Sequence, residues 1–167
     1  MNDFREFVRL RYGELLRTAF LLTGSAHAAE DLVQTALLRV YRRWDRIEEP
    51  MSYVRRIMAN QRITLWRRIG AHERITFAPP EPSTPDSSSA LVQRAELIEA
   101  LRRLPQRMRA VLVLRYWEDL SEAETAALLG CSVGTVKSQA SRGLARLREV
   151  LKADPAAADW TTKEALA

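Results

Sequence analysis

Residues 77–89, FAPPEPSTPDSSS, hold four prolines and four serines and no apolar period that a helix could use. A stretch of that composition cannot bury a core, and it reads as an extended linker able to span roughly 40 Å at about 3.1 Å per residue. It sets the plan of the chain: an N-terminal domain at 1–75, a linker at 76–90, a C-terminal domain at 91–152 and a tail at 153–167. Domains this small bury less of their surface than full-size ones, so each is expected to be marginal by itself. The tail reads as disordered.

Both flanking halves read as helices, and no segment alternates with period two. Asn2 or Asp3 is placed to cap a first helix with Phe4, Phe7, Val8, Leu15, Leu16 and Phe20 inward, stopped near Gly24. Ser25 is placed to cap a second, in which Leu32, Val33, Ala36, Leu37, Val40, Tyr41 and Trp44 recur every three or four residues. Glu48-Glu49-Pro50 breaks that run, and a third helix follows with Val54, Ile57, Met58 and Leu65 inside and Arg55, Arg56, Arg62, Arg67 and Arg68 along it. Beyond the linker, Leu97, Ile98, Leu101 and Leu104 mark a fourth helix. Pro105 suits the first turn of a fifth, running through Met108, Val111, Leu112 and Tyr116. The expected class is all-α: two small helical domains joined by a Pro/Ser-rich linker, the second a four-helix domain.

The segment SEAETAALLGCSVGTVKSQASRGLARLR, residues 121–148, has the pattern of a helix-turn-helix. Ser121 and Glu124 have the spacing of a capping box and open the short first helix. Ala126 is the small residue that lets a second helix cross closely, and Gly130 supplies the positive φ of the turn. Leu129, Cys131 and Val136 bracket the turn with apolar contacts, and Ser132 is placed to cap the second helix. With Val136, Ala140, Leu144 and Leu147 inward, Lys137, Ser138, Ser141 and Arg142 face outward near the N-terminal end, the end that enters a major groove in this motif. A plain helical hairpin is the alternative reading of the same pattern.

Charge agrees with a polyanionic partner. The net charge is +5, with 14 basic against 9 acidic residues in 1–75 and 10 against 7 in 96–152. Two separate positive blocks suggest two contacts with nucleic acid, although Glu and Asp are mixed throughout and ordinary solvated helix faces would look similar. Other functions find little support. One cysteine, Cys131, excludes an internal disulfide and any CxxC site; with only His27 and His72 besides, a zinc site has no ligand set. Cys131 reads as turn packing, and Trp44, Trp66 and Trp117 as core, with Trp66 also open to base stacking. Glu30 and Asp31 suit the first turn of their helix and have no base, nucleophile or phosphate loop beside them. No GxxxxGK[ST], GxSxG or HExxH occurs. No signal-peptide layout or membrane-length apolar run is present, and a cytoplasmic, metal-free protein without cofactor or small-molecule substrate is expected.

Three stretches carry a resemblance that a helix-turn-helix alone does not. AEDLVQTALLRVYRRW, 29–44, PMSYVRRIMANQRITLWRR, 50–68, and LPQRMRAVLVLRYWEDLSEAETAALLGCSVGTVKSQASRGLARLR, 104–148, are similar to the extracytoplasmic-function group of bacterial RNA polymerase sigma factors, of actinobacterial SigE-like type. The resemblance implies a specificity subunit that binds core RNA polymerase, directs it to promoter DNA and has no catalytic chemistry of its own. It implies core contacts by Asp31, Gln34, Leu38, Arg39 and Arg42. It implies capture of unpaired −10 bases by Asp45, Arg46, Ile47, Glu48, Glu49, Asn60, Arg67 and Arg68, and −35 reading by Thr135, Lys137, Ser138, Ser141 and Arg142. An anti-sigma factor or other regulator is a further partner class. Gln139 and Ser141 depart from the arginine and larger residue of many relatives, and loop 45–50 is short and acidic.

Energetics fit a subunit more than a solitary melting protein. Unstacking costs about 1.4 kcal/mol per base-pair step, and a captured base returns roughly 1–3 kcal/mol. One or two captured bases therefore tip a balance that polymerase has already set. Two rivals stay open on the residues alone. A conventional helix-turn-helix regulator would bind a twofold-symmetric operator tightly without polymerase. An adaptor or anti-sigma-type protein would show no DNA dependence.

Overall fold

The computed structural model describes residues 2–69 and 89–153, and among these every regular element is helical. The linker segment 77–88 and the tail beyond Ala153 lie outside the described residues, as do the side chains of 64–69, Arg67 and Arg68 included. Helix α1 spans Asn2–Thr23, α2 Ala26–Tyr41 and α3 Pro50–Ile69. After the linker come α4 Ser89–Arg102, α5 Gln106–Leu112, α6 Glu122–Leu129 and α7 Val133–Lys152.

Local chemistry accounts for most boundaries. Gly24 takes φ 72° and ends α1 at little steric cost. The Ser25 hydroxyl accepts from the Ala28 amide to start α2. At Ser121 both halves of the capping box are made: its hydroxyl accepts from Glu124 N at 3.1 Å, and Ser121 N donates to the Glu124 carboxylate at 2.7 Å. The accepted bonds hold the Glu124 carboxyl below its ordinary range.

Two boundaries differ from the sequence expectation. The apolar period of α2 continues to Trp44, but the helix stops at Tyr41, and Trp44–Arg46 form a 3-10 turn. Trp44 still packs inward, its ring 5.2 Å from Phe4 and 5.3 Å from Phe7, whereas Tyr41 is 51% exposed. The fifth helix does not run regularly to Tyr116. Val113–Trp117 widen into a π turn, closed by Glu118 N donating to Val113 O at 3.0 Å, and Asp119 at φ 53° turns the chain away. The wide turn leaves Tyr116 exposed and carries Trp117 and Glu118 toward the N-terminal half.

The core runs across both halves. Leu15, Leu22, Leu32, Val33, Val40, Val54 and Met58 form the centre of α1–α3, and Ala110 and Val113 join the same cluster, with Trp117 and Leu129 packed against it. Ala59 of α3 packs with Leu114 and Leu128. A second centre, Leu97, Leu101, Leu104, Leu112 and Leu147, binds α4, α5 and α7. Val111, Ala126 and Val136 form the small core of the helix-turn-helix.

Candidate nucleic-acid interface

The helix-turn-helix has the geometry its spacing implies. Gly130 adopts φ 63° at the turn, and the Ser132 hydroxyl accepts from Thr135 N at 3.1 Å to cap α7. Val136 and Leu147 are buried and Ala140 and Leu144 half-buried, so Lys137, Ser138, Ser141 and Arg142 share the exposed side of α7. Their roles are not equal. The Thr135 hydroxyl lies 2.9 Å from that of Ser132, and Ser138 Oγ donates to Thr135 O at 3.0 Å, so both are engaged in their own helix start. Lys137 is 3.7 Å from the Glu122 carboxylate. Arg142 is exposed and makes no ion pair among the described residues, which leaves its planar fork available to a base edge or a phosphate.

On α2 the residues Asp31, Gln34, Leu38 and Arg39 are exposed, as is Arg42 just after its end. Asp31 sits 3.6 Å from His27 one turn before it. Leu38 is 60% exposed, beside the exposed Tyr41, and lines a shallow groove with Phe4, Val8, Gln34 and Leu37. Leu38 and Tyr41 thus leave two large apolar side chains in solvent within an otherwise polar helix face.

The 45–50 loop is set differently. Asp45, Arg46, Glu48 and Glu49 are exposed and Ile47 is half-buried. Beside them opens a cleft of about 780 Å³ lined by Arg43, Arg46, Arg55 and Arg56, whose opposite wall is Leu120 together with Glu124, Ala127 and Leu128 of the helix-turn-helix. Asn60 is half-buried, and its amide donates to Leu128 O at 3.0 Å. Asn60 thus meets the end of α6 at Leu128, a residue that also lines the cleft beside the loop.

Two models of known families match the chain: Sigma-70 region 2 over residues 7–71 and Sigma-70, region 4 over residues 94–147. The chain is 46% identical over 153 residues to the RNA polymerase sigma-E factor of Streptomyces avermitilis, covering 90% of this chain and 86% of that protein. It is 34% identical over 155 residues to the ECF RNA polymerase sigma factor SigM of Mycobacterium tuberculosis, covering 89% and 76%. The chain belongs to the extracytoplasmic-function group of RNA polymerase sigma factors. Among solved structures, this sigma factor is similar to RpoE of Bartonella quintana, determined with the anti-sigma factor NepR, at TM-score 0.69, 26% identity and 92% coverage of this chain and 99% of that one. It shares a fold with CnrH, determined with the cytosolic domain of CnrY, at TM-score 0.65 and 24% identity, covering 92% and 90%.

The sigma factor contains further functional candidates that its sequence did not single out. Glu118 has a side chain only 4% exposed and forms an ion pair with Arg55 of α3, while accepting from the Thr18 hydroxyl of α1. Trp117 Nε1 donates to the same Thr18 oxygen at 3.2 Å. Arg109, 2% exposed, donates to Leu101 O and, at 3.1 Å, to Leu22 O, so one guanidinium caps the ends of α4 and α1 together. Burial pushes that guanidinium down to about 10, with Arg62 and Arg102 adding to the effect and Glu99 opposing it. An arginine in the apolar run Met108–Leu114 was the one available signal. Among the described residues no helix is long and apolar enough to cross a membrane.

Proposed function

We propose that this sigma factor divides promoter reading along its chain, with an N-terminal domain for core polymerase and the −10 element and a C-terminal domain for the −35 element. Asp31, Gln34, Leu38, Arg39 and Arg42 dock on core polymerase, and the exposed Leu38 and Tyr41 beside them supply apolar area for that contact. Asp45, Arg46, Ile47, Glu48, Glu49 and Asn60, with Arg67 and Arg68, hold unpaired −10 bases. Arg142 reads a base in the −35 major groove, Lys137 and Ser141 support it, and Thr135 and Ser138 order the start of the helix. The protein works in the cytoplasm, where promoter DNA is, and lends polymerase specificity rather than a catalytic residue, metal, cofactor or small-molecule site. The similar RpoE of Bartonella quintana was determined in complex with the anti-sigma factor NepR, which supports a regulator of that kind as the other macromolecular partner.

The observation that carries this reading is the separation of two exposed faces: a mixed apolar and polar one on α2 and a short, polar, basic one on α7. The test is run-off transcription with purified core polymerase on a promoter library. Specific transcripts that need the chain and share −10 and −35 sequences support it. Tight operator binding without polymerase, and no transcript with it, would replace it with a conventional regulator.

A further inference from the structure

An apolar cavity of about 740 Å³ opens between α1, the start of α2, α4 and Trp117. None of the residues around it belongs to the core-docking, −10 or −35 sets. Its wall is Leu16, Phe20, Leu21, Ile98 and Trp117, all half-buried, and the buried Leu97. At its edge stand the exposed Arg17 and Arg94, which make no ion pair among the described residues, and the exposed Glu30. Two free guanidinium groups beside an open apolar wall suit an occupant that is apolar at its centre and acidic at its edges.

The sequence that follows α7, outside the described residues, has that character. Residues 154–160 read DPAAADW. Trp160 is the one aromatic residue beyond Lys152, with Asp154 and Asp159 before it and Glu164 against a single Lys163 after it. Helix α7 ends next to the cavity: Val150 and Leu151 of its last turn pack on a cluster that contains Leu97 and touches Leu21, and both leucines line the cavity wall. The seven residues from Ala153 to Trp160 span up to roughly 25 Å at about 3.3–3.6 Å each, whereas packed helix axes lie only about 8–10 Å apart. The indole is therefore within reach.

Its chemistry fits the seat. An indole buries about 150–250 Å² and its Nε1–H calls for an acceptor, which the Glu30 carboxylate offers, while Phe20 and Trp117 offer rings to pack against. Tethering presents it at about millimolar effective concentration, so one side chain holds a seat that a free ligand of that size would leave. The Ala- and Asp-rich composition around Trp160 offers no core of its own, and a single anchor needs none.

We propose that Trp160 seats in this cavity of its own chain, with Asp154 and Asp159 beside Arg94 and Arg17, so that the sequence beyond α7 folds back onto α1 and the start of α2. Docking of this kind goes beyond promoter reading and stands whether or not the −10 and −35 assignments do.

Paramagnetic broadening in the full chain tests it. In a Cys131→Ser background, Ala157→Cys carries a nitroxide close to Trp160 in sequence. The amide signals of Ala26, Ala29 and Glu30, on the α2 side of the cavity, should lose most of the intensity they show after ascorbate reduction. Val136, Lys137 and Ser138, at the opposite end of α7 from the tail, should keep theirs. Trp160→Ala should return the α2 signals to full intensity. Ile98→Trp, which fills the cavity from its own wall, should do the same. Full intensity at Ala26, Ala29 and Glu30 in the oxidised parent chain overturns the proposal, as does broadening there that survives Trp160→Ala or the Ile98→Trp plug. Broadening of an isotope-labelled chain mixed with an unlabelled, nitroxide-bearing one overturns it too, because the occupant would then be a second copy.

Discussion

The Asn60 amide caps the end of α6 by donating to Leu128 O at 3.0 Å, across 68 residues of sequence. Leu128 O is one of the terminal carbonyls that a helix leaves without an internal partner, so the bond satisfies an otherwise orphaned acceptor. The same amide offers donors and an acceptor of the kind that recognise a base edge.

Asn60→Ala should therefore slow promoter opening on intact duplex. Loss of one neutral hydrogen bond, about 0.5–1.5 kcal/mol, corresponds to roughly 2- to 10-fold. The loss should shrink on a template mismatched in advance through the −10 region, where unpairing is already done. Opening rates by stopped-flow fluorescence on both templates check this; equal loss on both would make Asn60 a duplex reader or a fold residue.

Asp31→Lys should weaken core polymerase binding at least tenfold with helical content unchanged. Asp31 is exposed on α2, its carboxylate lies 3.6 Å from His27 on the same helix, and no buried side-chain contact depends on it. Surface pairs of that kind contribute little to folding. Wild-type affinity for core polymerase would remove Asp31 from the docking face.

Arg142→Ala should cost roughly 1–3 kcal/mol and relax preference at one or two −35 positions, because a bidentate guanidinium contact discriminates between bases. Lys137→Ala should instead weaken all −35 variants alike and lower the salt slope by about one unit. Holoenzyme binding to several −35 variants at two salt concentrations separates the two. A uniform loss from Arg142→Ala, with sequence ranking kept, would leave it a phosphate clamp.

Gly24→Ala should destabilise the protein by about 1–2 kcal/mol or more, since a left-handed backbone carries that cost for a residue with a Cβ. The Cβ would also run into the Arg102 side chain of α4, which covers this turn. Urea denaturation of the full chain measures it, and an unchanged midpoint would contradict the tight junction of α1 with α4.

The parts legible in the sequence are those governed by local chemistry. Ser25, Ser121 with Glu124, Gly130 and Ser132 fix helix ends through neighbours within three residues or through their own φ, and each does so in the structure. The outward set on α7 followed from the burial of Val136 and Leu147. What could not be read was how the halves meet. Arg55 was read only as one of the arginines along its helix; Glu118, 63 positions later, meets it, and no local pattern encodes that pairing. The run Val113–Trp117 is compatible with an ordinary helix, so the π turn that projects Trp117 and Glu118 has no signature of its own. Tyr41 fits the inward period of α2 yet is left in solvent where that helix ends, beside Leu38.

Promoter binding by the chain alone, by core polymerase alone and by both together tests the central claim most directly. With a labelled promoter fragment at physiological salt, the chain alone should bind weakly, core alone without sequence preference, and the two together specifically, with −10 bases becoming reactive to single-strand probes. Tight, sequence-specific binding by the chain alone, unimproved by core polymerase and without strand opening, would contradict it.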